Sequence, residues 1–545
     1  MNASLVRRVA ATIVVLALSA IIAVGCGGGG GAKSGAGKAA TDDKGLAFVP
    51  ASALLYMVVD TDFEGDSWKQ FEEHAKQFKG YAKARKDALD DLAKDEDVSY
   101  DTDIKPWLGD TAGIAVLSVN TTKIAGDAPA ESDKESDGEF IAWLETKDAA
   151  KAKTFVNKNA KKQGSSDYEG STITESQGEG SDEEAFFWTI KDEILLLSDS
   201  EKSIKTALKA AKSGKSIADD DDVKDVAGEV GGDALAAIVL NGDSARDLID
   251  DATKSENKSA ATLSSLRGIG RVKALTGAAV GFEAEEAGFR VHGFVGYDKD
   301  KLGSDKLGED AEPTLLTDLS KDTILAIGGE DLGGQLARVV EAATDGNDEM
   351  STQLTQIEGV LGLKVKDLET AYDGEFALGV GAAAKGPIPP VGFVAEANDD
   401  TASATDKLIG AMQLATGSAP KSIKVDGHDA KQASLGGVSL TAATFDKHTF
   451  LTNDEKFITG FGNGDTLGDS DAYKSVVEDA EVPDEVGGLF FMDTQKVIAL
   501  AAGIGADTKG QDTKALGPWI GWLDNDSDSQ TFDIFMRIES GGGDA

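Results

Sequence analysis

The chain has 545 residues, 96 of them Asp or Glu against 54 Lys or Arg, for a formal charge of -42. That charge repels nucleic acid and anionic lipid, which excludes direct binding to either. One cysteine forms no internal disulfide, and nine arginines against 45 lysines leave few groups for bidentate recognition of phosphate.

At the start of the chain, Arg7 and Arg8 precede an apolar run from Val9 to Val24 broken only by Thr12 and Ser19. Such a run behind positive charge has the form of a secretory signal and is short for a permanent span. Ala23-Val24-Gly25 before Cys26 resembles the bacterial lipobox, with Ala23 where leucine is usual. The sequence predicts a lipoprotein signal peptide over residues 1–25, lipidation at Cys26, and a flexible Gly/Ala/Ser tether over 26–44. Two or more acyl chains anchor stably where one does not, so the membrane is the expected partner and the extracytoplasmic face the expected location.

Beyond the tether, passages recur in the same order. Leu54–Asp60 is matched by Ile324–Glu330, each an apolar strand ending at an acid. Trp107–Val116 pairs with Ala371–Val380, and Phe140–Glu145 with Val391–Glu396, the last two each followed by a helix. Leu197–Ile204 parallels Leu451–Ile458, both a buried strand, a polar turn and a helix start containing Glu-Lys. Gly231–Leu240 corresponds to Val486–Met492, and each copy closes on a hairpin, Ala278–Tyr297 and Trp519–Glu539. The period is far longer than that of a solenoid, so each copy has the size of a domain.

The expected architecture is α+β: two homologous lobes from an internal duplication, each a mixed, mainly antiparallel sheet packed with helices. Lobe 1 spans residues 45–300, a linker 301–314 and lobe 2 315–539, with a tail over 540–545. A long helix is predicted from Ser67 to about Lys94, opened by a capping box of Ser67 and Gln70. Its stripe of Trp68, Phe71, Ala75, Phe78, Ala82, Leu89 and Leu92 packs on its own sheet or docks a partner, the former being expected. Residues 126–138 and 164–184, acidic or rich in serine, read as solvated loops.

The lipobox, the Phe48-Val49-Pro50-Ala51-Ser52-Ala53-Leu54-Leu55-Tyr56 opening and the Trp107-Leu108-Gly109-Asp110 turn resemble the actinobacterial family domain-of-unknown-function 3352. The resemblance covers nearly the whole mature chain and implies an exported, membrane-attached protein. It carries over no catalytic residue.

Motifs for chemistry are incomplete. Asp298, Asp300, Gly303 and Glu309 fall at positions 1, 3, 6 and 12 of a calcium-binding EF-hand loop, but Leu302 occupies position 5, where a ligand is required, and a strand precedes the loop. Asp219–Asp222 and Asp524, Asp526 and Asp528 could hold a hard cation loosely, or form a helix start and a hairpin turn. His74, His292, His428 and His448 are scattered without metal-ligand spacing. Gly242-Asp243-Ser244 lacks the downstream partners of a hydrolase, Ser418–Lys421 carries Pro420 where a helix is needed, and Gly460–Gly464 departs from the dinucleotide fingerprint. The sequence predicts no catalytic, cofactor or metal site. It predicts instead a non-catalytic, lipid-anchored envelope protein that binds an envelope protein or a small molecule, with a solute-binding lipoprotein holding an interlobe cleft as the alternative.

Overall fold

The computed structural model describes residues 41, 43–86, 98–119, 138–177, 185–230, 234–253, 270–303, 307–344, 348–382, 388–416, 419–435, 437–506 and 513–539. Cys26, Leu89 and Leu92 lie outside the described residues, as do the signal segment, most of the tether and nearly all of the 126–138 tract.

The first ten strands are β1 (Leu55–Asp60), β2 (Leu108–Val119), β3 (Gly138–Thr146), β4 (Lys161–Tyr168), β5 (Ser171–Gln177), β6 (Phe186–Lys191), β7 (Ile194–Ser198), β8 (Ala236–Asn241), β9 (Leu275–Glu285) and β10 (Gly288–Tyr297). Ten more follow: β11 (Thr323–Glu330), β12 (Glu375–Gly381), β13 (Val391–Glu396), β14 (Lys421–Val425), β15 (His428–Leu435), β16 (Val438–Phe445), β17 (His448–Thr452), β18 (Gly488–Met492), β19 (Leu516–Asn525) and β20 (Ser529–Ile538). Every pairing among them is antiparallel. The first ten run in the spatial order β4-β5-β6-β7-β3-β2-β1-β8-β9-β10. The second ten run β14-β15-β16-β17-β13-β12-β11-β18-β19-β20. Because β10 pairs with β20, all twenty form one sheet.

Tight turns set several registers. Two-residue hairpin loops of the favoured hand need positive φ at both central residues. Glu169-Gly170 and Asp192-Glu193 supply it in the first set, and Asp426-Gly427 and Asp446-Lys447 in the second. Over residues 164–177 the β4–β5 hairpin stands in place of the solvated loop expected over 164–184, and 178–184 lie outside the described residues. Its strands are rich in Ser and Thr, yet Ile173 and Thr174 are buried while Lys161 and Lys162 stay exposed.

Among the described helices are α1 (Asp66–Ala75), α2 (Ala149–Asn159), α3 (Glu201–Ser213), α4 (Asp221–Glu229), α5 (Gly242–Thr253), α6 (Leu332–Thr344), α7 (Asp348–Leu361), α8 (Val365–Ala371), α9 (Asp399–Thr416), α10 (Glu455–Gly460), α11 (Asp471–Ala480) and α12 (Thr494–Gly503). The helix expected over 67–94 is interrupted: α1 ends at Ala75, and Gly80 takes a φ of 105°, which a continuous helix cannot hold. Its N-cap is Gly65 without a side-chain cap, so the capping box of Ser67 and Gln70 does not form. Trp68, Phe71 and Ala75 pack as expected, against Met57, Val59, Phe282 and Phe289, with Trp519 and Met536 of the last hairpin in the same cluster. On the opposite face α3 and α4 cover a core containing Tyr56, Val58, Trp143 and Val239, and α11 covers Ile520, Trp522 and Phe535.

At the centre, β10 and β20 pair from Gly288 opposite Arg537 to Gly296 opposite Ser529. The hairpin β9–β10 places Gly288 opposite Glu285 and Tyr297 opposite Leu275, and β19–β20 places Ile538 opposite Leu516 in the matching way. His292 and Asp533 thus hold corresponding places in the two hairpins and face each other, His292 Nδ1 lying 2.7 Å from Asp533 Oδ1. Two strand positions from His292, Arg290 is 1% exposed. It pairs with Glu285, donates to the Ala480 carbonyl at 3.2 Å, and lies 5.1 Å from the centre of the Phe535 ring.

Two outcomes test this junction. Removing one member of a buried pair leaves the other desolvated, so Arg290→Met lowers unfolding free energy by about 3 kcal/mol in chemical denaturation. Burial opposes the charged His292 ring, but the hydrogen bond and charge of Asp533, with Glu283 adding and Arg290 opposing, raise its pKa overall. A raised folded value means this stabilisation is complete below about pH 6.5 and disappears as pH rises through the folded value. Asp533→Asn should therefore flatten the fall in stability above pH 6.5, measured as denaturation midpoint against pH.

Candidate functional site

Where the two hairpins meet, a hollow of about 430 Å³ opens beside the β10–β20 ladder. Its walls are α4, the ends of β9 and β10, and the turn joining β19 to β20. Asp222, Asp225 and Glu229 project from α4, Asp524 comes from the end of β19, and Asp526 and Asp528 come from the turn. Phe294 and Tyr297 line it from β10. The carboxylates arise for local reasons. Acids in a helix's first turn favour its dipole, and Asp220 caps α4 by accepting from Val223 N at 3.2 Å. In the turn, Asp526 Oδ1 accepts from Ser527 N at 2.6 Å.

The electrostatics are unbalanced. None of the six carboxylates forms an ion pair with a Lys or Arg among the described residues. Burial, and then the neighbouring Asp220, Asp243, Asp225 and Asp221, raise the pKa of Asp222. Burial raises Tyr297 as well, with Arg271 opposing. Asp310 adds to the rim of the turn: it accepts from Asn525 N and Nδ2, and burial raises its pKa while it shares a hydrogen bond with Asp524.

The acid runs singled out in the sequence are thus a helix start and a hairpin turn, and the fold brings Asp222 together with Asp524, Asp526 and Asp528. Asp219 stays outside, closing a capping box with Ser216. The other candidates remain apart. Asp298 caps a short helix at Lys299–Leu302 and pairs with Lys301, so the EF-hand reading gives way to a helix cap. His428 stacks on Phe445 with ring centres 4.0 Å apart, and His448 lies against Phe450 and Phe461 with its pKa lowered by burial. His74 Nε2 lies 2.5 Å from the Glu285 carbonyl. Ser244 N donates to Asn241 Oδ1 at the start of α5, which makes the segment a capped helix start rather than a nucleophile elbow. Gly460 ends α10, and Asp465 nearby pairs with Lys321. Ser418 lies outside the described residues.

Two carboxyls were not legible beforehand. Burial raises Asp60 to about 6 and Glu375 to about 7. Glu375 accepts from Leu315 N at 2.5 Å and holds the start of the helical turn at Thr314–Thr317, a structural use. Among the described residues no group of three or more His, Cys, Asp or Glu is placed to hold a metal ion. No helix among them is long and apolar enough to cross a membrane.

Comparison with known proteins gives a family without an assigned activity. No curated protein matches the chain. Among solved structures, crystal form IV of TP0453 aligns at 10% identity and a TM-score of 0.20, over 46% of this chain and 79% of that one. Crystal form I of TP0453 aligns at 9% identity and the same TM-score, over 48% and 80%. The family described as Protein of unknown function (DUF3352) matches residues 9–512, and the chain belongs to that family.

Proposed function

We propose that this protein is a non-catalytic binding protein of the cell envelope, held on the extracytoplasmic face of the membrane by a lipid on Cys26 and built from two fused copies of one α+β lobe. The observation that carries the binding role is the hollow at the junction, six carboxylates open to solvent with no Lys or Arg paired to them among the described residues. The two-copy reading is supported by the common strand order of β1–β10 and β11–β20, and by hairpin turns of the same backbone form at matching places. Anchoring is supported by the apolar run and lipobox-like residues before Cys26.

The alternative is a solute-binding protein whose lobes close on a ligand. Opposing it, β10 and β20 form an unbroken ladder that joins the lobes in one sheet. Binding through a fixed surface fits this junction better than closure of a cleft.

Metabolic labelling with palmitate tests the anchor. The wild-type protein should take the label into the membrane fraction and show globomycin-sensitive processing, and Cys26→Ser should abolish both. Wild-type protein that is unlabelled and freely secreted would contradict the anchor.

A further inference from the structure

The two hairpins set corresponding residues in corresponding places, and the surroundings of α4 and α11 can be compared position by position. Beside α11, Arg537 pairs with Asp479 and Glu539 and lies 3.4 Å from Ser475 Oγ. Arg290 pairs with Glu285, donates to the carbonyl of Ala480 and covers Phe535. Beside α4 the strand register puts Gly296 where Arg537 stands and Thr531 where Arg290 stands. The groups that would receive those guanidiniums remain: Asp225 and Glu229 match Ser475 and Asp479, Asp526 matches Glu285, and Phe294 matches Phe535.

We propose that this hollow is a guanidinium site, taking an arginine side chain from outside the chain. The inference rests on the two-copy reading. The acids alone would not carry it; the independent observation is that the matching groups in the other half hold guanidiniums from the same chain. The place of Arg537 cannot be filled from the strand beside α4. A Cβ on Gly296 would meet Thr276 Oγ1 at 2.6 Å, whereas the place of Thr276 in the other half is Gly517, which lies against Arg537. Asp298, the counterpart of Glu539, is already paired with Lys301, leaving Asp225, Glu229 and Asp526 to receive the ligand. A planar guanidinium can lie on the Phe294 ring while its edge meets two carboxylates, which a compact ammonium does less well.

Isothermal titration of the full chain tests this with paired probes. These are L-arginine and L-lysine, and the blocked tripeptides acetyl-Gly-Arg-Gly-amide and acetyl-Gly-Lys-Gly-amide. The expected result is saturable 1:1 binding in which an arginine probe binds at least tenfold more tightly than its lysine partner. Asp225→Asn with Asp526→Asn should weaken it tenfold or more, and so should Thr531→Arg, which places a guanidinium at the counterpart of Arg290. Binding of the blocked tripeptide alone assigns the ligand to a peptide; binding of free arginine as well assigns a small-molecule source. Circular dichroism confirms that each variant is folded, and the exposed carboxylate variants keep the test alive should Thr531→Arg fail to fold. No saturable binding, equal binding of arginine and lysine probes, or unchanged binding in the folded carboxylate variants would overturn the proposal. Palmitate labelling is independent of this titration, so loss of either result leaves the other standing.

Discussion

The fold depends on one antiparallel ladder, the pairing of β10 with β20. A strand at the edge of a sheet offers unpaired N–H and C=O groups, and joining two such edges satisfies both rows at once. The direction of pairing has a further effect. It brings corresponding residues toward each other about a single crossing point, where His292 meets Asp533. Two like residues there would make a plain contact, whereas a base opposite an acid makes an ion pair across the ladder.

On either side of that crossing the surroundings differ in a coordinated way. Arg537 stands with Gly517, and Gly296 stands with Thr276, so that each backbone gap accompanies the side chain it must admit. Around α11 two guanidiniums neutralise their acids within the fold. Around α4 the same class of acids faces solvent, where charge repulsion costs stability that a binding partner could return. The acidity of this chain is thus locally organised as well as general.

Much of the strand pattern was legible because short unbroken apolar runs mark strands buried on both faces, as in Leu54–Asp60 and Phe140–Glu145. The strands paired in sequence at Trp107–Val116 and Ala371–Val380 lie in the same register against their neighbours. β4 and β5 escaped because β4 is largely exposed and β5 buries Ser171, Thr174 and Ser176 beside Ile173, so that Ser and Thr serve there as well as aliphatic residues. The helix from Ser67 was overextended because its apolar spacing continues across Gly80, whose positive φ turns the chain. The hollow was half visible: its acid runs could be read, but Asp222 and Asp528 are too distant in sequence for pattern alone to join them. Arg290 gave no signal, since a lone arginine on an alternating strand looks solvent-facing until the second hairpin covers it.

With β10 and β20 spent on each other, the outer margins of the sheet are β4 and β14. Lys161 and Lys162 stand exposed along one and Lys421 and Lys424 along the other. Ammonium groups on a bordering strand discourage a further chain from adding to it. The molecule therefore terminates itself: its two ten-strand sets are joined as a couple, but the edges that unite them are consumed in doing so, and the lysine-bearing margins discourage extension into a filament.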